Sequence, residues 1–223
     1  MSKDTPFDPY ESELTYGPIN KQRWIYACAK QMMDRVIAAY GQEQGFNYTL
    51  FRPFNWVGPG LDKISNQKEG SPRVITQFIS NIVYGRNLEL VDGGEQRRCF
   101  TYVDDGISAL MKIIENKDGI ATGKIYNIGN PAEDHSIGVL AVKMLETAKK
   151  FSAYPKANDI NIVNKNSDDF YGKGYQDVQS RVPKITNTQT ELDWNPTVTL
   201  DEALYKIFEF YQGHALDLQD LTE

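Results

Sequence analysis

The sequence has little of what disulfide- or metal-based proteins need. Two cysteines, Cys28 and Cys99, in 223 residues make no disulfide framework, and their scarcity fits a reducing compartment. Two histidines, His135 and His214, stand far apart and lack ligand spacing, so no metal site is expected. No apolar run reaches roughly 18 residues and no basic-then-apolar leader appears. The formal charge of −6 provides no basic field, which argues against nucleic acid and anionic membrane as partners. A cytoplasmic protein is expected. Also missing is the glycine-rich turn of dinucleotide-binding folds, since neither G-x-G-x-x-G nor G-x-x-G-x-x-G occurs. No internal repeat or low-complexity segment is present.

What is there is ordinary for a globular protein: 40% hydrophobic and 24% charged residues, in a chain long enough to bury a real core. Residues 1–20 carry Pro6, Pro9 and Pro18 with scattered acids and read as an irregular lead-in. Residues 21–40 read as one amphipathic helix, with Trp24, Ile25, Cys28, Met32, Val36 and Tyr40 at mostly three- and four-residue steps. A helix places residues i and i+4 on one face, so the Tyr26 hydroxyl and the Lys30 ammonium can address one spot. A nearby ammonium lowers a phenol's pKa and turns it into a usable base for a substrate alcohol. With 13 tyrosines and 16 lysines in the chain, about one such spacing arises by chance. An ordinary surface pair therefore stays open on this motif alone.

After the helix, residues 48–51 are strand-like and enter the Pro/Gly turn Arg52-Pro53-Phe54-Asn55-Trp56-Val57-Gly58-Pro59-Gly60. Helix followed by a buried-type strand suggests an α/β layered sheet. Ligands of such sheets sit beyond the carboxyl ends of strands, where Asn55 falls; a plain turn asparagine fits equally. Residues 61–71 read as a polar loop, and Pro72 opens a helix to Tyr84. Residues 88–91 alternate like a strand, Asp92-Gly93-Gly94 turns it, and 97–103 form a second strand. Arg97 and Arg98 can hold a diphosphate or end a solvated strand. Strand alternation lets at most one of them face a given site. Asp104 or Asp105 is expected to cap a helix over 106–116, and Ser136 one to Lys150. Strands are expected at 124–128 and 161–163. Residues 164–184 read as loop, followed by helices over 189–192 and 200–211.

Taken together, the ordered motifs Tyr26-x-x-x-Lys30, Arg52-Pro53-Phe54-Asn55-Trp56-Val57-Gly58-Pro59, Arg98-Cys99-Phe100-Thr101-Tyr102-Val103-Asp104-Asp105 and Tyr126-Asn127-Ile128-Gly129-Asn130 resemble the extended short-chain dehydrogenases/reductases. These form the NAD-dependent epimerase/dehydratase family, which acts on nucleotide sugars. Asn20-Lys21-x-Arg23-Trp24-Ile25-Tyr26 and Tyr171-Gly172-Lys173-Gly174-Tyr175-Gln176-Asp177-Val178-x-x-Arg181 look more closely like its UDP-glucuronate decarboxylases, the type found in bifunctional polymyxin-resistance proteins that serve lipid A modification. The likeness runs over nearly the whole chain.

The resemblance implies the C-terminal part of a Rossmann-like parallel sheet plus a smaller α/β substrate-binding region. Residues 1–60 would be the remnant of the dinucleotide-binding domain. Residues 61–223 would mainly bind substrate, with 104–130 returning to the Rossmann sheet. Tyr26 would be the catalytic base and Lys30 its partner, both touching NAD. Arg23, Asn55, Arg98 and Tyr175, and with less support Arg73, would contact a UDP-sugar. Arg181 would meet the sugar carboxylate. The family's amino-terminal cofactor half has no counterpart here, so NAD binding and turnover by this chain alone are in question. A homodimer through the Tyr26 helix is expected. So are an unpaired edge at the 48–51 strand and low stability without a covering chain. Another epimerase or dehydratase reaction, or nucleotide-sugar binding without catalysis, remains an alternative.

Overall fold

The structure, a computed structural model, describes residues 6–12, 24–61, 64, 73–167 and 178–214. Its elements in order are α1 (Ile25–Gln44), β1 (Leu50–Pro53), β2 (Trp56–Val57), α2 (Val74–Tyr84), β3 (Leu88–Val91), β4 (Arg97–Cys99), β5 (Thr101–Tyr102), α3 (Val103–Glu115), β6 (Ile125–Ile128), β7 (Asp134–Ser136), α4 (Ile137–Ala148), β8 (Ile162–Lys165), α5 (Thr186–Leu192) and α6 (Leu200–His214). Strands pair two by two: β1 with β6, β2 with β5 and β3 with β8 in parallel, and β4 with β7 antiparallel. This is the expected α/β architecture with parallel pairs.

Two apolar clusters hold it. In the larger, α2, α4 and α6 pack with β3 through Phe78, Ile82, Leu88, Leu140, Met144, Leu204, Ile207 and Phe208, all essentially inaccessible to water. The spacing of these residues along their helices is the apolar stripe that the sequence carries. The smaller cluster joins β6, α3 and α5 through Tyr126, Ile128, Ala109, Leu192 and Trp194. Ser136 caps α4 as expected, its Oγ accepting from Val139 N at 3.2 Å.

Several boundaries differ from expectation. The first described helix runs on past Tyr40 through Gly41 to Gln44. The Tyr48 ring lies where a Cβ at Gly41 would stand, so a glycine there serves packing and does not end the helix. Its stop is Gly45, left-handed at φ 69°. The expected strand over 97–103 breaks at Phe100, and α3 already begins at Val103. Neither Asp104 nor Asp105 caps it; both sit in its first turn, where acids suit the helix dipole. Asp105 is buried and accepts from Thr197 N, Thr197 Oγ1 and Val198 N, each at 3.0 Å. Helix α5 starts three residues earlier than expected, at Thr186, and α6 extends to His214.

The amphipathic α1 turns its apolar side outward. None of its residues is buried, and Ile25, Met32 and Val36 are 75%, 63% and 47% exposed. The side facing the remaining chain carries Asp34, bound to Arg52 of β1 at 2.9 Å, and Gly41 against Tyr48. Among the described residues β1 pairs only with β6, and Phe51 at that open edge is 44% exposed.

The lead-in is docked more firmly than its composition suggests. Phe7 N donates to Val182 O at 2.7 Å, and Lys184 N donates to Phe7 O at 2.9 Å. The Lys184 ammonium meets the Asp8 carboxylate at 2.8 Å. Asn127 of β6 donates through Nδ2 to both Phe7 O and Lys184 O. Arg52 reaches Pro9 O, and Ile125 N donates to the Tyr10 hydroxyl at 2.9 Å.

Two outcomes follow from these bonds. Replacing Asp105 by Ala removes three bonds to part-buried amides and a hydroxyl and is expected to cost about 1–2 kcal/mol in urea unfolding, with Asp105→Asn losing less. The Lys184 ammonium, then the Tyr10 and Glu11 amides, hold the Asp8 carboxyl down at about 2 against an ordinary 3.8. A depressed folded pKa gives stability that is full above the ordinary value and fades as pH falls. Docking of residues 6–12 is therefore expected to loosen between about pH 4 and about pH 2, read from the Asp8 carboxyl resonance and the Lys184 amide exchange rate. An Asp8 midpoint at the ordinary value would show the contact absent in solution.

Candidate nucleotide-sugar site

Of the sequence-predicted residues, Asn55 and Arg73 bond around the chain leaving β1, and Arg98 lies on β4. Asn55 follows β1 and adopts a left-handed φ of 41°, which asparagine tolerates better than most residues. Its Nδ2 donates to Cys99 O at 3.0 Å, and its own carbonyl accepts from Thr101 N. Asn55 is thus a turn asparagine that ties the end of β1 to β4, whatever else it touches. Arg73, exposed at the start of α2, donates to Trp56 O at 2.9 Å, which draws it to the same turn.

The two arginines of β4 diverge as alternation requires. Arg97 turns outward onto Asp134 of β7, Nε to Oδ2 at 2.8 Å. Arg98 lies opposite His135 in the ladder and donates through Nη1 to Val178 O at 2.8 Å. The Arg97 amide donates to Gln179 O at 2.8 Å. Strand β4 therefore grips the segment carrying Arg181, a half-buried residue two positions past Gln179. On β7, His135 Nε2 and Glu133 Oε2 lie 2.7 Å apart. Burial, reinforced by the Asp134 charge, pushes the Cys99 thiol up to about 12, so Cys99 is no nucleophile here.

Tyr26 and Lys30 stand one turn apart at the start of α1, with Lys30 Nζ 5.8 Å from the Tyr26 ring centre. Tyr26 is 67% exposed. Among the described residues the pair makes no hydrogen bond to the Asn55–Arg98 group, and α1 is tied to β1 through Asp34 and Arg52. The phenol and the ammonium face solvent on one side of the helix. Arg23 and Tyr175 lie outside the described residues. A depression of about 510 Å³ beside the end of α1, lined by Ala38, Gln42, Phe46, Tyr48 and neighbours, contains no charged side chain and none of these residues.

Sequence reasoning missed the contacts made by backbone: the Val178 and Gln179 carbonyls, and the pairing of residues 6–12 with 182–184. The pairing of Arg52 with Asp34 was missed too.

Solved structures share the fold. The PbgP3 protein from Burkholderia pseudomallei is 58% identical over 98% of the chain with a TM-score of 0.83, and the chain spans 61% of that protein's length. A UDP-glucose 4-epimerase from Thermotoga maritima, solved with UDP-glucose, is 25% identical over 85% of the chain and 53% of its own length, TM-score 0.69. A dTDP-glucose 4,6-dehydratase from Bacillus anthracis, solved with NAD, shares the fold over 100% of the chain and 60% of its own length at 18% identity, TM-score 0.73. No described helix is long and apolar enough to cross a membrane. The profile of the NAD dependent epimerase/dehydratase family matches residues 1–129, and the chain belongs to that family.

Proposed function

We propose that this chain carries the substrate-binding part of an NAD-dependent UDP-glucuronate decarboxylase. The observation that carries the reading is the grip of Arg98 and the Arg97 amide on Val178 and Gln179. It fixes the backbone two residues before Arg181 to β4, the strand to which Asn55 is bonded through Cys99 O. A nucleotide diphosphate asks for cations beside a strand end, and a uronate asks for one more arginine at the sugar. The UDP-glucose held by the T. maritima epimerase supports the substrate class.

In this reading Asn55, Arg73 and Arg98, with Arg23 and Tyr175, bind the UDP-sugar. NAD, when bound, supplies the oxidising power for the 4-hydroxyl. Tyr26 takes the hydroxyl proton, and Lys30 keeps the phenolate favourable while touching the nicotinamide ribose. A ketone at C4 is β to the carboxylate, so the C–C bond can break with its electrons entering an enolate and CO2 leaving. Arg181 stands at the carboxylate and returns the proton, giving a UDP-4-keto-pentose. A cation that merely held the carboxylate would oppose its loss, so the proton delivery matters more than the clamp. Residues 1–60 and 104–130 belong to the dinucleotide-binding unit, a division supported by the β1–β6 pairing. The outward apolar side of α1 supports a homodimer through that helix. The exposure of Tyr26 also favours a second reading for the chain by itself, nucleotide-sugar binding without turnover.

Calorimetric titration of the chain tests the reading. UDP-glucuronate is expected to bind about 10- to 100-fold more tightly than UDP-glucose, the order of one charge-assisted contact. Arg181→Ala should erase that preference, and Arg98→Ala should weaken both ligands alike. Equal affinities in the unaltered chain would sink the uronate assignment. Sedimentation should give a dimer that Met32→Glu with Val36→Glu converts to monomer; a monomeric unaltered chain would remove the dimer.

A further inference from the structure

Arg181 lies in a short span pinned at both ends. Upstream, Val178 O and Gln179 O accept from Arg98 Nη1 and the Arg97 amide of β4, each at 2.8 Å. Downstream, Val182 O accepts from Phe7 N at 2.7 Å, and Lys184 N donates to Phe7 O at 2.9 Å. Ser180 and Arg181 alone stand between the anchors. The upstream anchor belongs to the sheet. The downstream one is residues 6–12, far away in sequence, held in place by several independent contacts. Asp8 pairs with Lys184 at 2.8 Å. Asn127 Nδ2 bridges Phe7 O and Lys184 O at 2.7 and 3.0 Å. The Tyr10 hydroxyl accepts from Ile125 N.

We propose that residues 6–12 act as a strap that positions Arg181, with Asp8 as the positioning residue. Through Lys184 and the Phe7–Val182 bond the strap fixes the backbone from which Arg181 reaches a substrate carboxylate. It thereby sets the selectivity for a uronate over a neutral sugar. This rests on the reading of Arg181 proposed above. Asp8 touches no reacting atom in this scheme; it acts through the chain. Losing the pair frees backbone next to the arginine, and that freedom must be given up again on binding. The loss falls on the uronate alone, because a neutral sugar does not use Arg181.

The test compares affinities for UDP-glucuronate and UDP-glucose, by calorimetry, in the full chain and in Asp8→Asn, Asp8→Glu, Lys184→Gln and Arg181→Ala. Asp8→Asn is expected to lower the uronate preference roughly fivefold, the order of freeing one backbone residue, with UDP-glucose affinity unchanged. Lys184→Gln breaks the same pair from the other side and should give the same drop, while Asp8→Glu restores most of the preference. A preference kept in Asp8→Asn but lost in Arg181→Ala overturns the strap and leaves the reading of Arg181 standing. An equal loss for both ligands in Asp8→Asn, or a drop there without one in Lys184→Gln, also overturns it, as damage to the fold. No preference in the unaltered chain removes the reading of Arg181 and the strap with it.

Discussion

The parallel pairing of Leu50–Pro53 with Ile125–Ile128 is the constraint on which the rest depends. Parallel neighbours cannot be joined by a tight turn and need a long crossover. Here everything from Phe54 to Lys124 is that crossover, and it includes α2, β3, β4 and α3. The pair is only four residues long, yet each face and end of it is used. Tyr126 and Ile128 seat the smaller core. Asn127 holds residues 6–12 and 184, Arg52 holds α1, and the chain leaving Pro53 becomes the Asn55 turn. A site built at a strand end inherits the order of the strand, which is why short strands can position it.

How much of this was legible depends on the kind of force involved. Where burial decides, the sequence speaks through periodicity. Helices α2, α4 and α6 lie within a few residues of where their apolar stripes put them, and Ser136 caps where its type and position predict. Where a polar side chain serves a distant backbone, no local pattern announces it. Asp105 looks like a helix cap because Asp commonly is one; its true partners, Thr197 and Val198, are some ninety residues on. The strand over 97–103 looked continuous because Phe100, Thr101 and Tyr102 are all good strand formers. The chain changes partners there, from β7 to β2, and propensity is blind to a change of partner.

The candidate site shows the same division. The family resemblance nominated Arg73, Arg98 and Arg181, the strand-end position also pointed to Asn55, and alternation said only that at most one of Arg97 and Arg98 faces a given site. The bonds that place three of them run to main-chain carbonyls: Asn55 to Cys99, Arg73 to Trp56, Arg98 to Val178. Any residue supplies a carbonyl, so these partners leave no mark in the sequence. The docking of residues 6–12 is the extreme case. A stretch rich in proline and acid reads as irregular, and it is irregular, but its backbone and the Asp8–Lys184 pair tie it to the segment after Arg181.

Helix α1 is the element for which these bonds are least sufficient. Twenty residues in water form at best a marginal helix by propensity alone. Most helical stability in proteins comes from an apolar face laid on a core, and α1 lays none of its residues there. Its contacts among the described residues include Asp34–Arg52, with both side chains about one-third exposed at 30% and 38%, and Gly41 beneath Tyr48. A pair that exposed is worth about 1 kcal/mol at most, and one ring contact adds little more. Burying Ile25, Met32 and Val36 would contribute about 1.5–3 kcal/mol each, more than either of those two contacts. Most of the stabilisation open to α1 therefore lies on its uncovered side, and Tyr26 and Lys30 take their final geometry from whatever surface lies against it.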